Sequence, residues 1–341
     1  MRDAHLPAYR KAGFEVAALY DVDADKAQAL ADDFGVGKVY TSLQTMLAAA
    51  PPDAVFDVAV PASATLGVLE QLPEGSAVLI QKPMGNTLKE AEAIDHLARA
   101  KNLTVAVNFQ LRFAPYVLAA RSLIGGGAIG ELHDVEVRVT VYTPWHLWPF
   151  LETLPRMEIL NHSVHYLDLV RSFLGEPQGI YAKTTKHPKL PKLASSRSAM
   201  MLDYGEMIRA NISTNHSHEF GLKHQESYIK WEGTKGAIKA TMGLLMNYPE
   251  GEPDKLEVCT LREDEPPAWT SVPLEGSWFP DAFIGTMSSL MRYAEGSDPT
   301  LPTASHDALK TMALVDAAHR SSDQGGVSIG VSSSSVSQAK E

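Results

Sequence analysis

Cysteine is almost missing from this chain: Cys259 stands alone among 341 residues. No intrachain disulfide can form, and a cysteine-rich metal site is excluded. A reducing compartment suits such a chain, so a cytoplasmic location is the expectation. Basic charge is also short, with 30 Lys and Arg against 41 Asp and Glu, a net charge of −11. Nucleic acid and anionic membrane would meet a like-charged surface and are not expected partners. A phosphate-bearing cofactor stays compatible, because a local site can oppose the global charge. Long apolar runs are absent too, none approaching the roughly 20 residues that cross a bilayer. Residues 1–13 are polar and mixed, without the apolar region of a signal peptide. No internal repeat is visible.

What is present is ordinary globular material, 45% hydrophobic and 21% charged, long enough for about two domains. Apolar, β-branched stretches over 14–20, 37–40, 54–60, 77–80 and 104–108 read as strands. Helical periodicity falls between them, over 23–34, 42–50, 64–72 and 88–101, with Asp23 placed as an N-cap. Strands alternating with helices predict βαβ units and a parallel sheet. The alternation stops near residue 112. Helices are predicted over 114–123 and 159–174, and a long strand over 132–142. Residues 179–241 carry several longer strands with hairpin-like joints such as Tyr204-Gly205-Glu206, which reads as a mostly antiparallel sheet. Helices over 281–294 and 304–320 follow. The expected division is an α/β domain over 1–112, an α+β domain over 113–330 and a Ser-rich, disordered tail over 331–341.

Several constellations carry chemistry. Lys82, in Gln81-Lys82-Pro83, follows the strand 77–80, and the carboxyl ends of parallel strands are where open α/β sheets bind ligands. It suits donation to a reacting oxygen; the bland reading is a solvated surface lysine. Asn161, His165 and Asp168 share one helix face at i, i+4 and i+7. A histidine there suits the proton transfer that accompanies hydride transfer, or is a core histidine satisfied by Asp168. His162 and His165 show no third ligand, so no metal is expected. Asp21 ends the strand 14–20, where an acid can accept from ribose hydroxyls; a turn or helix-cap role competes. Asn108 to Arg112 would project over the same sheet edge as Lys82, or serve the crossover between domains. Trp145, His146, Trp148 and Arg156 follow the long strand and either shape a substrate pocket or pack a core. The histidines of NHSHEFGLKH, 215–224, read as surface or interface residues.

Together these pieces resemble the glucose–fructose oxidoreductase/inositol dehydrogenase (Gfo/Idh/MocA) superfamily. HLPAYRKAGFEVAALYDVDADKAQALADDFGV is similar to its first helix, second strand and acidic residue. VAVPASAT, QKPMGNTLKEAEAI and NHSVHYLDLVRSFLG resemble its strand-loop, its Glu-Lys-Pro motif and its histidine-bearing helix. EGTKGAI and PDAFIGTMSSLMRYAEG also fit. The resemblance runs in order from residue 5 to about 330. It implies a Rossmann-type, dinucleotide-binding N-terminal domain and an α+β C-terminal domain with a large sheet that mediates oligomerisation as a dimer or tetramer. It implies NAD as cofactor, or NADP, and a sugar or polyol substrate. Carried over, Lys82 and His165 are the catalytic lysine and general acid/base, and Asn161 stands where many members have aspartate. Asp21 binds the ribose; Val60, Pro61, Gln81 and Asn108 line the cofactor. Trp145, His146, Arg156, Asn161 and His165 line the substrate. Val22, rather than a basic residue, follows Asp21, which favours NAD.

Three departures stand out. Gln81 replaces glutamate. Asn161 replaces aspartate, and an amide orients a hydroxyl but stabilises an imidazolium less. The chain also begins where the family's first strand and glycine loop have already passed. That predicts unpaired interior strand edges, a missing pyrophosphate cradle and an in-frame upstream segment that supplies both. The leading expectation is an oxidoreductase that moves hydride between a nicotinamide and a CH–OH group. A sugar-binding or scaffold protein without cofactor is the rival reading, and a metal-dependent lyase or hydrolase using His162, His165 and Asp168 is a third.

Overall fold

The structure, a computed structural model, describes residues 1–329. The tail expected over 331–341 lies outside the described residues.

The first part runs α1 (His5–Ala12), β1 (Leu19–Tyr20), α2 (Ala24–Phe34), β2 (Val39–Tyr40), α3 (Leu43–Ala49), β3 (Val55–Val58), α4 (Ala62–Leu69), β4 (Ala77–Ile80), α5 (Leu88–Ala100) and β5 (Thr104–Val107). Short polar side chains start three of these helices. Asp23, Ser42 and Thr87 accept from the backbone N–H three residues on, at 3.3, 3.4 and 3.2 Å, each satisfying one orphan donor. Asp23 is thus the cap of α2, as its sequence position suggests.

All strand pairs in this part are parallel, but the sheet is in two pieces. β1 pairs with β2, and β3 with β4 and β4 with β5. Among the described residues no strand joins β1 to β3. The strand expected over 14–20 shortens to Leu19–Tyr20 for that reason: its one neighbour supplies only Val39 and Tyr40 as partners. β4, covered on both sides and both faces, is buried throughout.

The second part continues with α6 (Pro115–Gly125), β6 (Leu132–Thr140), α7 (Val164–Leu174), β7 (Gly179–Thr185), β8 (Arg197–Asp203), β9 (Arg209–Asn215), β10 (Glu226–Gly233), β11 (Gly236–Thr241), β12 (Lys255–Thr260), β13 (Thr270–Ser271), α8 (Asp281–Ala294) and α9 (Ser305–Gln324). The strands form one eight-stranded sheet, ordered β13-β12-β11-β10-β6-β9-β8-β7. Every pair is antiparallel except β6 with β9. Alternate residues enter the core, among them Val135, Val137 and Val139 of β6 and Ile229 and Trp231 of β10, the period-two pattern of a sheet covered on one face.

The last two helices tie the parts together. α8 lays Phe283, Met287 and Leu290 against Leu6 and Tyr9 of α1, Leu79 of β4 and Ala106 of β5. α9 packs on α5 and reaches β7. There the Ser321 and Ser322 hydroxyls accept from Ala182 N–H at 2.9 Å and Thr184 N–H at 3.0 Å, covering an edge strand. These contacts carry α9 to Gln324, past the end expected at 320. Among the described residues no helix is long and apolar enough to cross a membrane.

Candidate active site

The carboxyl ends of β3, β4 and β5 lie side by side, with Val58 opposite Ile80 and Ile80 opposite Val107. The residues that follow share one edge: Val60 and Pro61 after β3, Gln81 and Lys82 after β4, Asn108 after β5. Asn108 N–H donates to the Ile80 carbonyl at 2.9 Å, extending the ladder one step. Asn108 and Gln81 touch through Nδ2 and Oε1 at 3.4 Å. Asp21 ends β1; its Oδ1 accepts from Asp23 N–H at 2.9 Å, forming a turn. Pro61 opens α4 and Val22 is exposed.

Lys82 faces the second part of the chain. Its Nζ donates to the Asn161 backbone carbonyl at 2.6 Å, and burial pulls its pKa down to about 8. It is half-buried, not a solvated surface lysine. Asn161 lies in a π-helical turn, Ile159–Ser163, that leads into α7. The helix expected over 159–174 is therefore a wider turn followed by an α-helix, and such turns gather at functional sites. Asn161 Nδ2 donates to the Met157 carbonyl at 3.2 Å.

His165 sits in the first turn of α7, 7% exposed, with its ring edge-on to Phe109 at 6.2 Å between centroids. Its Nδ1 is buried without a hydrogen-bond partner. Burial first, then the nearby Lys82 charge, hold its pKa well below the usual histidine value. Asp168 does not satisfy it. That carboxylate takes both ends of the Arg112 guanidinium, at 2.6 and 2.7 Å, and the Thr311 hydroxyl at 3.0 Å. Arg112 also reaches Asp307 at 2.8 Å. Arg112 and Asp168 thus clamp the segment after β5 to α7 and α9, which is the crossover role and not a place at the sheet edge.

Two residues that sequence reasoning did not assign lie beside this site. Glu158 is fully buried, accepting from Ser163 Oγ at 2.7 Å and from the Ser198 hydroxyl. Burial opposes its ionisation, but His216 and the two hydroxyls outweigh that and hold its pKa below the usual carboxylate value. His216 Nε2 lies 3.5 Å from Glu158 Oε1, without hydrogen-bond alignment. His216 is only 1% exposed, so it is buried within the chain and is not one of the surface or interface residues expected over 215–224. Its ring meets His162 at 4.6 Å and Trp145 at 5.7 Å. The one sequence signal was a carboxylate inside the apolar run from Met157 to Leu160.

The remaining expected substrate residues scatter. Trp145 packs on His162 and His216, with its indole N–H buried and unpartnered. His146 is exposed. Arg156 pairs with Asp323 of α9 at 3.0 Å and lines a separate small cavity with Asn86 and His319. Among the described residues no three His, Cys, Asp or Glu side chains gather as a metal site.

Against known proteins, residues 1–109 match the model of the oxidoreductase family with an NAD-binding Rossmann fold, and residues 117–239 match the GFO/IDH/MocA C-terminal domain. Together these matches span most of the chain, which belongs to the Gfo/Idh/MocA family of NAD-binding oxidoreductases. D-apiose dehydrogenase of Paraburkholderia graminis is 24% identical, over 94% of this chain and 84% of its own. An oxidoreductase from Agrobacterium radiobacter, solved with NAD+, L-tartaric acid and magnesium, superposes with a TM-score of 0.77 at 22% identity, covering 94% of this chain and 93% of its own. Levoglucosan dehydrogenase with NADH and levoglucosan superposes with a TM-score of 0.76 at 18% identity, covering 94% of each.

Proposed function

We propose that this chain oxidises or forms a hydroxyl on a sugar or polyol, with NAD as the preferred partner. The observation that carries the reading is the meeting of Lys82, Asn161 and His165 at the carboxyl edge of the parallel strands. Asp21 would hold the adenosine ribose, and Val60, Pro61, Gln81 and Asn108 the nicotinamide end. Val60, Pro61, Gln81 and Asn108 follow neighbouring strands of one sheet and Asp21 ends β1 of the other, and the carboxyl ends of parallel strands are where open α/β sheets bind such ligands. When bound, the nicotinamide accepts or returns the hydride at the carbinol carbon.

The chain's own residues handle the proton. His165, held neutral by burial, takes the hydroxyl proton in the oxidation direction. Lys82 donates to the substrate oxygen, and with a pKa of about 8 it does so at little cost near neutrality. The Asn161 carbonyl fixes the lysine, and its amide orients a substrate hydroxyl without adding charge. Trp145 borders the substrate, a role that its unpartnered indole N–H supports. Names among the relatives, a D-apiose and a levoglucosan dehydrogenase, support the sugar class. A cytoplasmic location and assembly through the large sheet belong to the same proposal. Exposed Tyr181 and Met201, paired across β7 and β8, support the second.

The test is a panel of sugars and polyols with NAD and with NADP. Lys82→Ala and His165→Ala should each abolish turnover, and near-normal rates in either would refute its role. NADH titration tests the cofactor directly.

A further inference from the structure

A polar chain runs behind the strand edge, ending on the Asn108 and Gln81 that the function above sets beside the cofactor, while His5, Asp57, Tyr9 and Thr286 have no part in that function. Thr286 of α8 donates to Asn108 Oδ1 at 3.0 Å. Asn108 Nδ2 donates to Gln81 Oε1 at 3.4 Å. Gln81 Nε2 lies 3.2 Å from His5 Nε2, and His5 Nδ1 lies 2.7 Å from Asp57 Oδ2. The Tyr9 hydroxyl donates to the same Asp57 oxygen at 2.7 Å. His5, Asn108 and Thr286 are 4%, 1% and 0% exposed. Four elements besides the Gln81 loop therefore meet in it: α1, β3, the end of β5 and α8.

The chain has a direction. The Asp57 carboxylate only accepts, from the Tyr9 hydroxyl among others, so His5 Nδ1 must carry hydrogen to face it. A ring with its single proton on Nδ1 leaves Nε2 as an acceptor. Gln81 must then turn its NH2 toward His5 and its carbonyl toward Asn108. A glutamine amide is symmetric in shape but not in chemistry. Without His5, nothing on the α1 side selects which end faces which.

We infer that His5 and Asp57 are positioning residues: they fix the orientation of the Gln81 amide beside Lys82. The importance of that orientation for the cofactor rests on the proposed function, but the orientation itself does not.

Two substitutions separate positioning from packing. In His5→Gln the side-chain amide reaches the Nε2 position and can accept from Gln81, while the Asp57 contact is lost. In His5→Asn the amide reaches the Nδ1 position and keeps Asp57, while Gln81 loses its acceptor. The readout is the pair of Gln81 side-chain amide signals in the 15N-labelled full chain, identified by their loss in Gln81→Glu. We expect His5→Gln to keep their position and slow exchange. His5→Asn should move them to free-glutamine values, with exchange about tenfold faster, the size of one lost net hydrogen bond. Unchanged signals in His5→Asn, or equal changes in both variants, would overturn the inference. Should a variant not fold, long-range 1H–15N spectra of the unaltered protein decide: a proton on His5 Nδ1 with Nε2 bare supports it, and a proton on Nε2, alone or beside one on Nδ1, overturns it. NADH titration of the same samples reports on the cofactor reading separately, so either idea can fail alone.

Discussion

Replacing Lys82 with methionine keeps most of the side chain's reach and removes its charge. The wild-type ammonium is displaced from an ordinary pKa of 10.5 to about 8 by burial. At about 1.36 kcal/mol per pH unit, that is a burden of roughly 3 kcal/mol on the charged folded state. The sign follows from proton counting. Between about pH 8 and 10.5 the unfolded chain still holds the Lys82 proton while the folded chain has released it, so stability rises with pH in that window. Lys82→Met lacks this gain. The assay is urea unfolding of both proteins from about pH 7 to about pH 10.5, taking the difference at each pH so that other groups cancel. Wild type should gain about 3 kcal/mol on the variant across the range. A difference flat to within about 1 kcal/mol would refute the claim that Lys82 sits desolvated against the Asn161 carbonyl.

Other outcomes follow from the same site. Alcohol oxidation should persist below the ordinary histidine range, because burial and Lys82 keep His165 unprotonated there, and should change again near pH 8 as Lys82 titrates; a pH–rate profile with an acid limb at or above 6.5 contradicts the assignment. Glu158→Ala leaves the buried Ser163 and Ser198 hydroxyls without this acceptor and should cost about 1–3 kcal/mol for each in urea melts, with Glu158→Gln costing clearly less. Asp168→Ala removes two of the Arg112 hydrogen bonds and leaves it the Asp307 carboxylate, so it should cost about 1.5–3 kcal/mol, without His165 losing a hydrogen bond. Asp21→Ala should narrow the preference for NAD over NADP, read as the ratio of kcat/KM values; an unchanged ratio places the discrimination elsewhere.

Much of this was legible in the sequence, for identifiable reasons. Strands 77–80 and 104–107 are short apolar runs with partners on the sheet, so local pattern and tertiary context agree. Lys82 and Asn161 meet, with His165 one helical turn on, because strand-end placement and helical spacing survive folding. The 14–20 stretch has the same apolar pattern, yet only two residues pair, because a strand needs a neighbour as well as a propensity. The π-helical turn at Ile159–Ser163 was illegible: its apolar pattern is that of the α-helix it leads into, and Lys82, which donates to the Asn161 carbonyl there, is 79 residues away in sequence. His216 was misjudged because its neighbours are polar, whereas its burial comes from Trp145 and His162. By position Arg112 carries both a sheet-edge and a crossover reading, and Asp168 reads as a possible partner of His165; the structure joins the two in a clamp.

The central claim is that this strand edge holds a nicotinamide next to Lys82 and His165. Fluorescence titration of the purified chain with NADH, wild type beside Lys82→Ala, tests it most directly. The account predicts saturable binding in the wild type with the nicotinamide signal altered in the variant. A wild-type chain that shows no saturable NADH binding would contradict it.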